Sequence, residues 1–488
     1  MKILRAILAC SLFAAPVAAE QSYLPANFDE TIRAGMEKWH APGLGLAIVK
    51  DGKTILVKGY GLKSVAGTDP VNVDTVFQAG STTKAFASMA LAMLADEGKI
   101  NWTDPVKKHL PELKIKDKYV EDNLTIAEAL THISGLAELS NLNIFITEDL
   151  VGAVDLLAET EQVNGFRTTW KYNNTTFGLA GMVVERVSGM PFHEFVTKRI
   201  LKPLGMNNTV LLDAEVKASK NRAEAHHYHE GKQYAIDYPY LEFSQAAGML
   251  NSTPADMDKW LKFLLARGVW NGEQLVSEKN LASVFKPRVF VSASGEYPAL
   301  KAHKKNYLGY SLAWFNHTYR GHDVVMHTGS IAGMSAIAGL IPDENIGVYV
   351  FINSDHIEYR HALMYKVFDL LLGLPDEGVG EKVYDIYHPE KPKAPKQAAP
   401  KKVEAVAGKY VMAGTLPIEV TAVGDKWSLQ YGVHAMPMVF SEKSGYRLLD
   451  KVLPFDKEGV PITFQVDADN NATSLQFWGM LFTKKTDD

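Results

Sequence analysis

Cysteine is almost missing from this 488-residue chain: the only one, Cys10, lies inside an N-terminal stretch with the pattern of a leader. A chain cleaved after Ala19 is therefore expected to hold no thiol and no disulfide, which leaves no cysteine nucleophile and no cysteine metal ligands. Positive charge is also short, with 51 Lys+Arg against 56 Asp+Glu for a formal net charge of -5. Loss of the two cations Lys2 and Arg5 with an acid-free leader takes -5 to -7, so the basic footprint of a nucleic-acid partner is not expected. No His-Glu-x-x-His helix supports a metal site, and His226-His227-Tyr228-His229 reads as a polar loop near the cleft. No intact Gly-x-Ser-x-Gly surrounds Ser81, which counts against an α/β-hydrolase, and no fixed-period repeat suggests a solenoid or propeller.

What the chain does have begins with the leader. Met1-Lys2-Ile3-Leu4-Arg5 is basic, residues 6–15 are apolar but too short to span a bilayer, and Val17-Ala18-Ala19 offers small residues for cleavage. Residues 1–19 thus read as a secretory signal and the product as periplasmic or secreted, without a transmembrane segment. A lipidated Cys10 is the weaker reading, since the apolar stretch before it is very short.

Periodicity then orders the remainder. A helix is expected over 27–40, with Phe28, Ile32 and Met36 on one face, followed by strands 43–50 and 54–60 around the hairpin signal Asp51-Gly52. From 104 to about 286 the pattern is mainly helical, at 125–130, 149–158, 175–187, 192–200 and 254–266, the last capped by Ser252-Thr253-Pro254. Strands return at 310–315, 323–327, 335–341 and 346–352, before a helix at 357–372. Strand-rich ends around a helical middle imply an α/β (α+β) domain: an antiparallel sheet flanked by helices, with an all-helical lobe beside it. Four prolines within 387–402 mark a linker. Residues 403–488 carry short strand patterns, 418–421 and 463–466 among them, with a turn at Asp469-Asn470-Asn471, and read as a small all-β barrel or sandwich cored by Trp427, Tyr431, Phe464 and Trp478. The expected domains are 20–386 and 403–488.

The chain is organised around Phe77-Gln78-Ala79-Gly80-Ser81-Thr82-Thr83-Lys84, which runs into the apolar helical stretch 85–95 with Gly98 as a cap. Ser81 and Lys84 lie one helical turn apart on one face, so the lysine nitrogen can reach the hydroxyl. A serine is a weak nucleophile until a base takes its proton, and a lysine whose pKa is lowered by burial can do so. Alone, Ser-x-x-Lys is a common pattern.

Tyr172-Asn173-Asn174, ahead of a helix, and His327-Thr328-Gly329, ending a strand, join it in an order that resembles the serine β-lactamase and penicillin-binding superfamily, in its class C β-lactamase and DD-peptidase branch. Leu130-Thr131-His132-Ile133-Ser134-Gly135-Leu136, Pro203-Leu204-Gly205-Met206 and Ala247-Gly248-Met249-Leu250 resemble the same branch, so the likeness covers roughly 28–372. It implies that Ser81 is acylated while Lys84 and Tyr172 share the proton traffic. Asn174 would bond Lys84 and a substrate amide, and the backbone N–H groups of Ser81 and Ser330 would form the oxyanion hole. His327, Thr328, Gly329 and Ser330 would line the substrate site, His327 facing the cleft to help bind the substrate's carboxylate or other polar groups, and His132 would be structural. No cofactor and no metal are implied. Penicillin-hydrolysing relatives mostly carry lysine where this chain has His327, whereas peptidases and esterases of the branch often carry histidine. The expected function is therefore a serine hydrolase of short or D-residue-containing peptides, with an esterase, a β-lactamase or a slowly turning-over penicillin-recognising module as alternatives. Gly408-Lys409-Tyr410, Leu416-Pro417-Ile418 and the strand rhythm resemble the lipocalin-like appendage of some peptidases of this branch, expected to limit access to the cleft or to support an oligomer.

Overall fold

The central strands Gly43–Lys50, Met334–Ile341 and Ile346–Ile352 are apolar on both faces, and the architecture explains why. The structure, a computed structural model, describes residues 23–139, 154–229, 231–236, 238, 245–291, 298–303, 307–355, 357–389, 402–403, 405–412, 417–423, 426–431, 434–441, 445–448, 460–477 and 480–485. The leader, most of the linker, Trp478 and much of the expected helix 149–158 lie outside them; within that last stretch Val154 and Asp155 are helical and run into a 3-10 turn, Leu156–Ala158.

Eight antiparallel strands form the main sheet in the order Lys53–Gly61, Gly43–Lys50, Ile346–Ile352, Met334–Ile341, His322–Ile331, Phe315–Tyr319, Leu308–Tyr310 and Val289–Phe290. Leu46 pairs with Val350 and Ala338 with Tyr349. Leu44, Leu46 and Ile48 pack on one face against the helices Phe28–Lys38 and Tyr359–Leu371, while Ala47 and Val49 pack on the other, toward the helical lobe. A sheet covered on both sides shows no polar alternation. Asp51 and Gly52 both take positive φ, 51° and 73°, as a two-residue hairpin turn of the primed type needs.

Two expectations are corrected here. The stretch 310–315 is not one strand: Leu308–Tyr310 and Phe315–Tyr319 pair as a hairpin, turning through Ala313 at φ 80°, with Ser311 N–H donating to Trp314 O at 2.8 Å. The His226 to His229 stretch is not a loop but the strand Ala225–His229, paired with Lys232–Ile236. His226 is fully buried; its Nδ1 bonds the Asn353 carbonyl at 2.7 Å and its Nε2 accepts from Val65 N–H at 3.1 Å.

The lobe side is built on the helix Lys84–Asp96, buried along nearly its whole length and closed by Gly98 at φ 68°. Phe86 stacks on Trp260 of the helix Pro254–Leu265 with ring centroids 4.1 Å apart, a contact of about 1 kcal/mol beyond its buried area. The C-terminal region is a closed eight-stranded barrel whose first strand, Gly408–Val411, pairs with its last, Met480–Lys484. Tyr410, Tyr431, Leu448 and Phe482 fill it, with Trp427 and Phe464 partly buried at its edge. Leu156 packs against both the lobe core and the barrel core.

Candidate active site

Ser81 sits in a 3-10 turn, Gly80–Thr83, that feeds the buried helix. The turn is pinned from below. Phe77–Gln78 pairs with Asn251–Ser252, Leu250 N–H donates to Thr83 Oγ1 at 3.0 Å, and Thr82 Oγ1 shares a 2.6 Å bond with the Tyr349 hydroxyl. A side chain held by so many backbone anchors is pre-positioned for reaction.

Lys84 is wholly buried and its Nζ has three neighbours: Ser81 Oγ at 3.2 Å, Asn174 Oδ1 at 2.5 Å and the Ala247 carbonyl at 2.9 Å. Burial lowers its pKa to about 7, against a smaller opposing pull from the Glu138 carboxylate. All three bonds use Lys84 as donor, so the free base gives up one of them and aims a lone pair instead. Lys84 Nζ lies 4.8 Å from the centre of the half-buried Tyr172 ring and 5.1 Å from Phe177.

Asn174 opens the helix Asn174–Ser188, but the cap is its neighbour: Asn173 Oδ1 accepts from Thr176 N–H at 3.0 Å, and Asn173 Nδ2 donates to the carbonyls of Leu136 and Ala137. That leaves the Asn174 side chain for Lys84. Glu138 accepts a hydrogen bond from the Asn174 backbone N–H at the positive end of this helix.

The strand His322–Ile331 supplies the opposite wall. Phe315–Tyr319 covers it only as far as Met326, so 327–331 pairs with Met334–Ile341 alone and turns an open edge toward Ser81. Its approach is very close. A Cβ built on Gly329 would lie 1.9 Å from Ala79 O and 3.1 Å from Ser81 N, and one on Gly80 would lie 2.7 Å from Ser330 N. Only glycines permit this contact, which sets Gly329 against the Ser81 amide and Gly80 against the Ser330 amide.

His327, expected to face the cleft and help bind a carboxylate or other polar groups, has its ring 6.2 Å from that of Tyr172. It is 1% exposed, and burial, with Lys84 nearby, lowers its pKa to about 3. It is therefore neutral at physiological pH and offers no cation to a carboxylate. It ends a chain of hydrogen bonds whose direction the backbone fixes. Asn173 N–H donates to His132 Nδ1 at 3.0 Å, leaving His132 Nε2–H to donate to Tyr310 Oη at 3.1 Å; Tyr310 then donates to His327 Nε2 at 2.9 Å, and His327 Nδ1–H to Thr328 O at 2.6 Å. The His132 ring lies 4.4 Å from that of Tyr172, so a residue read as structural forms the floor beneath the site. Sequence reasoning missed Glu138, Tyr310 and Arg360; the last donates to Gly329 O behind the strand. Among the described residues no group of three or more His, Cys, Asp or Glu could hold a metal ion.

The family model described as Beta-lactamase matches residues 28–371. Over 372 residues the chain is 27% identical to the unguisins hydrolase ungD' of Aspergillus campestris, covering 72% of this chain and 67% of that protein. Over 349 residues it is 27% identical to protein flp of Staphylococcus aureus strain COL, covering 68% of this chain and 64% of that one. Among solved structures, an octameric penicillin-binding protein homologue from Pyrococcus abyssi superposes with a TM-score of 0.64 at 24% identity, over 93% of this chain and 99% of that chain.

Proposed function

This chain belongs to the beta-lactamase family, and on that premise we propose that it is a serine hydrolase working through an acyl-enzyme on Ser81, with short peptides or their amides, D-residues included, as the substrate class. The observation that carries the reading is the buried Lys84 amine, tuned to about 7 and 3.2 Å from Ser81 Oγ. Lys84, with Tyr172 beside it, takes the serine proton as Oγ attacks the acyl carbon. The amides of Ser81 and Ser330 hold the oxygen that becomes negative, and the same proton passes to the leaving amine. Water then enters by the reverse path. Asn174 holds Lys84 and binds the substrate amide. The neutral His327 favours substrates without a carboxylate at that position, which moves the reading away from penicillins and keeps esters as the alternative.

Incubation with a fluorophosphonate, followed by assays with D-amino acid amides, p-nitrophenyl esters and nitrocefin, tests this. Wild type should be labelled on Ser81 and should cleave amides or esters faster than nitrocefin; the Ser81→Ala variant should do neither. Equal labelling of that variant sinks the assignment, and labelling by penicillin without turnover of any substrate makes the chain a binding module.

We further propose that 20–386 and 403–488 are separate domains after a signal peptide of 1–19, that the product is periplasmic or secreted, and that the barrel limits access to the cleft or supports assembly. The contact of Leu156 with both cores supports a barrel seated on the lobe. Removing 403–488 should broaden the range of substrate sizes accepted or lower the oligomer state; a shortened protein unchanged in both removes the idea.

A further inference from the structure

Arg360 is 4% exposed and stands on the helix Tyr359–Leu371, which packs on the face of the sheet opposite the helix that follows Ser81. Its Nη1 donates to Gly329 O at 2.5 Å, Ser330 Oγ at 2.9 Å and Ala336 O at 3.1 Å. The rest of the guanidinium is gripped by Glu358, through Nη2 to Oε1 at 2.8 Å and Nε to Oε2 at 3.1 Å, and His361 Nδ1 adds a 2.6 Å bond to Oε2. Burial works to raise the Glu358 pKa, but Arg360 and His361 outweigh it and hold the carboxyl below its ordinary range. Both partners stay charged in a desolvated place.

A buried ion pair is often no more stabilising than apolar side chains of the same size, so stability alone gives little reason for one here. Its location gives a better reason. Gly329 O and Ser330 N–H belong to one peptide unit, no peptide bond among the described residues is cis, and in a trans unit the two dipoles point in opposite directions. A clamp on the oxygen from behind therefore sets the direction of the amide in front. The strand needs such a clamp, because 327–331 has no ladder partner on its cleft side among the described residues.

We propose that Arg360 is a positioning residue for the oxyanion hole: held by Glu358 and His361, it fixes the Gly329 carbonyl and so aims the Ser330 N–H at the oxygen bound beside Ser81. The inference rests on the acyl-transfer reading of Ser81.

Arg360→Lys keeps a cation for Glu358 but loses the planar fork, and Glu358→Gln keeps Arg360 but loosens its grip. Two probes place an oxygen in the hole without needing the natural substrate: the second-order rate of fluorophosphonate labelling, and the affinity of a phenylboronic acid. Arg360→Lys should slow labelling by about 10- to 100-fold and weaken the boronate by a similar factor, with KM for an ester within about twofold and an unchanged thermal midpoint. Glu358→Gln should lose about fivefold in both probes. A folded Arg360→Lys protein with wild-type rates overturns the proposal. So does a loss confined to KM for carboxylate-bearing substrates, which would make Arg360 a substrate ligand. Should Arg360→Lys not fold, Glu358→Gln decides by the same two probes. Failure of the underlying reading shows separately, in a wild type that is not labelled or whose labelling survives Ser81→Ala.

Discussion

Lys84→Met is expected to slow acylation of Ser81 by about 10³-fold and at the same time to raise the thermal midpoint at pH 7. Both effects come from one fact, a lysine with no exposure whose pKa burial brings to about 7. In the unfolded chain the same amine titrates near its ordinary 10.4 or so, so folding is opposed by the cost of stripping or burying its charge. The folded pKa is the lower one, so the unfolded state binds more protons between about 7 and the unfolded value, and this group's contribution to stability rises with pH across that window. Methionine removes the cost and the pH dependence together. The rate of fluorophosphonate labelling of wild type should rise through about pH 7, as the free base forms, and then level off. Labelling rates and melting curves from pH 5 to 10 check this. An inflection that survives in Lys84→Met would show that the base lies elsewhere, and a variant that melts earlier than wild type would show that the three hydrogen bonds of Lys84 outweigh the cost of its burial.

Gly329→Ala should abolish activity almost as completely, by about 10²- to 10³-fold, through a single methyl group far smaller than any substrate. That carbon would stand 1.9 Å from Ala79 O, a separation no packed atoms keep. The neighbour is backbone rather than a flexible side chain, so the strand edge itself must retreat and the Ser330 amide with it. Substrate binding depends less on this contact, so kcat should fall and KM should change little. A crystal structure of the variant should show 327–331 displaced from the Gly80–Thr83 turn. Wild-type kcat in a folded Gly329→Ala protein would mean that Ser330 N–H plays no part in the reaction.

The parts of the site carried by local patterns were readable in advance. Ser81 and Lys84 are one turn apart, and their contact follows from helix geometry. Tyr172 sits just before, and Asn174 opens, a helix that begins within one residue of where it was expected, and the strand through His327 was found although it runs four residues further, to Ile331. What could not be read was whatever depends on partners distant in sequence. Tyr310 sits in a hairpin whose turn, Ser311 to Trp314, is wholly buried and apolar after its serine, so it lacks the run of polar and glycine residues that marks a turn. His327 was given a cleft-facing role by the resemblance; its buried bond from Tyr310, which in turn bonds His132, is one that no short stretch reveals. Glu138 and Arg360 act on backbone atoms of distant segments, Asn174 N–H and Gly329 O, and backbone acceptors and donors leave no trace in a sequence.

The pairing of Leu46 with Val350 has a consequence for how the site comes into being. The strand Gly43–Lys50 is among the first segments made, yet its central neighbour in the sheet, Ile346–Ile352, is synthesised only after the whole helical lobe. Contacts so remote along the chain must wait for the entropy of closing a very long loop, which makes them slow to form. The lobe, with its local helices, is free to condense around Lys84 long before the strand carrying Ser330 has a sheet to join. Ser81 and Lys84 are thus expected to join a folding unit that forms before the strand of Ser330 docks, an order that pulse-labelled hydrogen exchange during refolding checks by earlier protection of 84–96 than of 43–50.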